Sequence, residues 1–194
     1  MKKKLLFSII VICFILGVEY SFSDELEVPA ANQVQILKKI LSVEKNLLNS
    51  KDKEIVIGII YQSDNKLSKK TAEDFKMNAN RTISKANEKI FKFILIDVKN
   101  NKDVTKVLDK EQNNMDLLII TQLRNTNYKL INQYSVNNSI LTFATNEKVM
   151  QNNAFSLGVG YKGNNVQLLF NPKQISAEGY SFPHNIFEYA KKIE

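Results

Sequence analysis

Ile55-Val56-Ile57-Gly58-Ile59-Ile60-Tyr61 decides the fold. A strand with one wet face alternates apolar and polar residues, whereas one covered on both faces does not alternate at all. This unbroken run therefore predicts an inner strand of a parallel sheet lying between two layers of helices. Three further runs repeat the theme: Phe91 to Val98, Asp116-Leu117-Leu118-Ile119-Ile120-Thr121, and Ser139 to Thr145. Helical stripes separate them. Leu67-Ser68 opens one, with Ser68 as N-cap and Ala72, Phe75, Ala79, Ile83 and Ala86 facing inward. Asp103 caps a second carrying Val104, Val107 and Leu108, and Leu130, Ile131 and Tyr134 suit a third. Strands alternating with helices at this spacing imply β-α-β units with right-handed crossovers.

Upstream of the first strand, Pro29 marks a helix start. Ile36, Ile40, Val43 and Leu47 then repeat at helical spacing, widened by Leu37, Leu41 and Leu48, until Lys51-Asp52-Lys53 ends the helix. Beyond residue 150 the pattern changes. Ala154 to Tyr161 and Val166 to Phe170 are joined by Lys162-Gly163-Asn164-Asn165, a hairpin signal. Asn171-Pro172 reads as an N-cap followed by a first-turn proline, with Gly179 just past the end of that short helix. Ser181 opens a last helix with Phe182, Ile186, Phe187 and Ala190 turned inward. The expected architecture is a single α/β domain over residues 24–194: a mostly parallel sheet with flanking helices and a C-terminal antiparallel hairpin.

The first 23 residues have another character. Met1-Lys2-Lys3-Lys4 is a basic start, Leu5 to Val18 is nearly all apolar, and Ser21-Phe22-Ser23 sets small residues before a cleavage point at Asp24. That is the layout of a secretory signal, shorter than the ~20 apolar residues of a membrane-spanning helix. Cleavage after Ser23 removes three lysines and one glutamate, taking the net charge from +7 to +5. It also removes Cys13, the only cysteine, so the remaining chain forms no disulfide and depends on packing. Ile10-Val11-Ile12 before Cys13 is no lipobox. Arg81 and Arg124 are the only arginines, which argues against a nucleic-acid site, since phosphate and base recognition draws on the arginine fork.

The motifs that could carry chemistry fail on context. Gly158-Val159-Gly160-Tyr161-Lys162-Gly163 spells a dinucleotide fingerprint, but its third glycine falls in a hairpin turn and a strand follows instead of a helix. His184 is the only histidine, too few for a zinc site of usual composition and without an evident catalytic partner. No calcium-type acidic loop is present. The expectation is a non-enzymatic protein with no catalytic residue, cofactor or metal. Position offers the one candidate site, because ligands of open α/β sheets bind beyond the carboxyl ends of the strands. Those ends should carry Tyr61, Gln62, Ser63, Asp97, Thr121, Gln122 and Thr145, polar groups able to rim a small-ligand crevice or to meet a partner.

The segment from Ile140 to Ile193 resembles the YfiR-like family, periplasmic proteins long catalogued as a domain of unknown function. The residues that carry the likeness are Ile140-Leu141-Thr142, Leu157-Gly158-Val159-Gly160, Gln167-Leu168-Leu169-Phe170-Asn171, Ala177-Glu178-Gly179, and Ser181-Phe182 through Ala190. Gln35 to Leu41 and Ile57-Gly58-Ile59 also look familial. Pro172 and the pair Ile186-Phe187 depart from the usual pattern, as does the absence of disulfide cysteines. The resemblance implies a periplasmic regulator that binds and modulates an inner-membrane signalling protein, a diguanylate cyclase or a kinase, and so a link to cyclic-di-GMP. The rim of polar strand ends supports the alternative, a periplasmic small-molecule-binding or sensor protein. A homodimer is compatible with either.

Overall fold

The computed structural model describes residues 28–44, 46–47, 52–83, 85–86, 89–99, 104–111, 115–188 and 190–193. The expected signal segment and the expected cap Asp103 lie outside them. The described strands, in chain order, are β1 (Glu54–Tyr61), β2 (Lys85–Ala86), β3 (Lys89–Asp97), β4 (Met115–Ile120), β5 (Leu141–Ala144), β6 (Leu157–Lys162), β7 (Asn165–Phe170) and β8 (Lys191–Lys192). They form one sheet in the order β2-β3-β1-β4-β5-β6-β7-β8. The run β3-β1-β4-β5-β6 is parallel throughout, β7 turns back antiparallel on β6, and β8 runs parallel to β7. This is the expected α/β architecture with its C-terminal hairpin, extended by the two short edge strands β2 and β8.

Helices α1 (Ala30–Leu41) and α2 (Lys66–Thr82) cover one face of the sheet, and α3 (Val104–Lys110), α4 (Tyr128–Asn137) and α5 (Glu147–Asn153) the other. The short α6 (Pro172–Ala177) returns to the first face through Ile175. The apolar run of β1 follows from this. Ile55, Ile57 and Ile59 pack into the core under α1 and α2, Ile60 packs into the opposite core, and all four are at most 1% exposed. Each layer removes apolar area from water at about 25 cal/mol per Å², so a polar residue anywhere along β1 would forfeit burial.

Several local expectations are corrected. The N-cap of α2 is Asn65, whose side chain accepts the Ser68 N–H, so Ser68 sits inside the first turn. Helix α1 stops at Leu41, well short of Lys51. There the N–H groups of Val43 and Glu44 both turn back to the Ile40 carbonyl, and the Glu44 carboxylate caps the Leu47 N–H at 2.6 Å. The apolar repeat over residues 36–47 is thus supplied by two pieces, and Leu47 reaches the core from the second. The last helix expected from Ser181 is a single 3-10 turn, His184–Phe187. Pro183 precedes it in an extended geometry, φ −57 and ψ 139, and proline also restricts Phe182 before it. The aromatic contacts survive without the helix: Phe187 stacks on Phe170 at 4.1 Å and meets Phe182 edge-on at 5.8 Å.

Other signals hold. Asn171 caps α6 through the N–H groups of Lys173 and Gln174, with Pro172 in the first turn. Gly179 follows at φ 84 and Gly163 turns the hairpin at φ 60, both in the left-handed region that glycine occupies freely. β7 follows that turn directly, so the fingerprint-like glycines lead into a strand and not into a helix N-terminus.

Candidate functional site

Ranked by position in the chain, the five parallel strands lie in the order second, first, third, fourth, fifth. That is a doubly wound arrangement whose topological switch falls between β1 and β4. The predicted rim other than Thr145 lies at the ends of β1, β3 and β4, and there Gln62, Asp97 and Thr121 bond to the protein's own groups. Gln62 is 1% exposed, and its Nε2 donates to the Lys99 carbonyl at 2.7 Å, the Arg124 carbonyl at 2.8 Å and Thr126 Oγ1 at 3.1 Å. Its Oε1 accepts the Arg124 N–H at 2.6 Å. Thr121 Oγ1 donates to the Ile60 carbonyl and accepts from Ser68 Oγ at 2.6 Å, while Ser68 Oγ accepts the Gln62 N–H. Asn65 Nδ2 reaches the Gln122 carbonyl at 3.0 Å.

Asp97 Oδ1 takes the N–H groups of Ser63 and Lys99, each at 3.0 Å. Burial alone would raise its pKa, but the hydrogen bonds from Ser63 and Lys99 outweigh it and hold the carboxyl below its usual range. Tyr61 beside it is shifted up, first by burial and then by the charges of Asp97 and Glu73. Gln62, Asp97 and Thr121 thus fasten the loops after β1, β3 and β4 to one another. The side chains of Ser63 and Gln122 are exposed.

The open site lies further along the same carboxyl edge. Strand β5 pairs with β6 only over Phe143↔Leu157 and Ala144↔Gly158, so β6 from Val159 onward stands beyond the end of β5. The chain leaving β5 turns at Thr145-Asn146 into α5, and the first turn of α1 approaches from the other side. Between them is a cleft of about 600 Å³, within the range of small-molecule sites. Thr145, Asn146 and Glu147 line one wall, Val159 to Tyr161 with Gly163, Asn164 and Val166 a second, and Val28, Pro29 and Asn32 a third. Of the predicted rim, Thr145 alone lines it.

The walls are built, not merely adjacent. Gln33 donates to the Val28 carbonyl at 2.7 Å and the Thr145 carbonyl at 3.3 Å, tying the start of α1 to the end of β5. Its Oε1 is buried with no hydrogen-bond partner. Asn146 caps α5 through the N–H groups of Lys148 and Val149. Glu147 Oε1 accepts from Gln151 Nε2 at 2.6 Å and Lys191 Nζ at 2.9 Å. A Cβ at Gly160 would collide with the Glu147 carboxylate, so the glycine in mid-strand lets that carboxylate lie against β6. Sequence reasoning missed Asn146, Glu147 and Gln33. The available signals were Asn146-Glu147 at a helix start and a glycine inside a strand, which marks a close approach.

A second polar centre lies at the opposite, amino end of β5 and β6. Glu178 is fully buried and accepts from Ser135 Oγ, Thr142 Oγ1 and Gln174 Nε2 on one oxygen and from Thr142 N–H and Ser156 Oγ on the other. Burial raises its pKa, and those hydrogen bonds oppose the shift. Every acceptor site is occupied by the protein, so this is a structural hub joining α4, α6, β5 and the start of β6. His184 is exposed on its 3-10 turn. Among the described residues no cluster of His, Cys, Asp and Glu could hold a metal ion, and no helix is long and apolar enough to cross a membrane.

No protein-family model matches the chain, and no curated protein matches it in sequence. Solved structures share its fold. An ABC domain from Streptococcus pneumonia in complex with L-Trp has a TM-score of 0.60 at 13% identity, over 86% of this chain and 60% of that one. A conserved domain protein from Vibrio cholerae gives 0.61 at 12% identity, over 88% and 61%. The ligand-free, open form of a substrate binding protein with adhesive properties from Clostridium difficile gives 0.61 at 13% identity, over 86% and 60%. The chain spans about 60% of the length of these neighbours. It is an α/β protein with a fold of this kind.

Proposed function

We propose that the chain is an exported, non-catalytic binding protein that takes a small molecule in the cleft between α1, α5 and the β6–β7 hairpin. The observation that carries this reading is the cleft itself: about 600 Å³, beside the switch point but on the same carboxyl edge of the sheet, the side on which such folds take ligands. Its walls mix apolar side chains with neutral amides and one carboxylate, the composition of a site that buries a body and orients a head. Two fold neighbours support it in kind, one solved with L-Trp and one named a substrate binding protein. Native mass spectrometry of protein purified from its own cells should show a retained small molecule. It should be lost on Gly160→Leu, which fills the cleft wall. A chain that is empty from every growth condition, and whose melting temperature no small molecule raises, would overturn the reading.

The second reading is a YfiR-like regulator that binds an inner-membrane diguanylate cyclase or kinase and restrains it. The C-terminal resemblance favours it, and the two readings join if ligand occupancy selects the conformation that the partner binds. Deletion of the protein should then change cellular cyclic-di-GMP, and an unchanged level would count against this second reading alone.

A further inference from the structure

We propose that the cleft selects small molecules with a compact cationic head, a primary ammonium above all, and that Glu147 is the group that recognises it. This rests on the reading of the cleft as a small-molecule site. Among the described residues lining the cleft, Glu147 is the only charged side chain, in a chain whose net charge is +7. The lysine-rich surface offers anions many partners, whereas the cleft offers a cation one carboxylate and neutral hydrogen-bonding groups. Next to Val159 and Val166, an anionic head would meet the Glu147 carboxylate as a like charge, and a cationic head would pair with it.

The carboxylate is also pre-positioned. The Asn146 cap fixes the turn that carries it, Gly160 leaves the space it occupies, and Gln151 holds its Oε1. Oε2 lies over Gly160, itself a lining residue. Among the described residues, the cation paired with Glu147 is Lys191, whose side chain is 47% exposed and which stands outside the cleft on β8. An exposed lysine on a flexible stem is a weakly held counter-ion. It neutralises the empty site and yields to a ligand ammonium that arrives with its own apolar body buried.

The test is isothermal titration of the full chain with butyl, hexyl and phenethyl compounds, each as the amine, the carboxylate and the alcohol. Amines should bind more tightly than the other two forms of the same skeleton. Glu147→Gln should weaken amine binding by about 10- to 100-fold, the worth of a hydrogen bond to a charged group. Lys191→Gln removes the same ion pair from the other side and should strengthen amine binding. A pair that merely stitches β8 to α5 would make the two variants behave alike, and a shift in the same direction for both overturns the proposal. Carboxylates or alcohols that bind as well as amines also overturn it while leaving the small-molecule reading intact. Binding by no compound of the set overturns the proposal, and the retained-ligand measurement on the native protein then decides the small-molecule reading separately.

Discussion

Glu178→Ala should cost about 3–5 kcal/mol of stability, the sum of buried donors left without an acceptor at about 1–3 kcal/mol each. The structure shows where the cost arises. Five donors converge on the carboxylate, and they differ in how easily they find a substitute. Ser135 Oγ already has the Asn132 carbonyl within reach at 2.8 Å and falls back on it. The Thr142 N–H is fixed in β5 and cannot turn away. The Ser156 hydroxyl and the Gln174 amide are enclosed with it, and each stranded buried donor costs about 1–3 kcal/mol. Relief from burying a charge offsets part of the total. Glu178→Gln is the control that separates geometry from charge. It keeps one accepting oxygen for Thr142 N–H and Ser156, while Gln174 can flip to face the new NH2, so its loss should be about 1–2 kcal/mol.

Urea unfolding followed by far-UV circular dichroism measures both variants, and pH gives the same group a second readout. Burial holds the Glu178 carboxyl above its usual range, and Glu44 and Asp116 are shifted the same way, each mainly by burial. A carboxyl raised in the folded state contributes stability that is complete below its ordinary value of about 4.5 and is lost as pH rises through the folded value. The wild-type melting temperature should therefore climb as pH falls from 8 toward 5, and Glu178→Gln should flatten that climb. Asp97, shifted down, loses its contribution only below its ordinary value of 3.8 and leaves this window untouched. Equal losses for Ala and Gln, or an unchanged pH slope in Glu178→Gln, would refute the argument that acceptor geometry around a costly buried charge holds this corner together.

The remaining predictions use other parts of the fold. Gln62→Ala should cost about 2–3 kcal/mol and speed hydrogen exchange at the Arg124 amide it accepts, yet leave any molecule retained in the cleft in place. Loss of that molecule would mean the switch point, not the cleft, is the site. Gly58→Ala should cost about 1–3 kcal/mol through overpacking, because its Cβ would come within 2.8 Å of Ile96 Cδ1 and Met115 Sδ, as denaturant melts would show. Phe187→Ala removes two ring contacts, worth about 0.5–1.5 kcal/mol each beyond their burial, and limited proteolysis should then cut near residues 188–190 first.

The sheet was legible because its signal is collective. Ile55 to Ile60 and Leu117 to Ile120 are apolar on both faces, and Leu141 to Ala144 is buried on both with Thr142 its one polar residue. Asn171-Pro172 and Gly179 were legible because a cap and a left-handed residue act within one turn of themselves. The errors come where a local rule meets a competitor. Ser68 is a fair cap, but Asn65 three residues earlier is a better one, and Ser68 is drawn instead into the network with Thr121. Ser181 could open a helix, but Pro183 sets the geometry two residues later.

The site was harder to read for a different reason. Polar residues at strand ends look the same in sequence whether they meet a ligand or one another, and Gln62, Asp97 and Thr121 meet one another. What separates the two cases is register. β6 outruns β5 by several residues, so that edge cannot close on itself, whereas β1 and β4 end nearly level and their loops can be sewn together. Register depends on which strands are neighbours, and that is fixed by the whole chain. A cleft in this fold therefore follows from a mismatch in strand length beside a hairpin, and in the sequence only Gly160 inside its strand and Asn146-Glu147 at a helix start pointed to it.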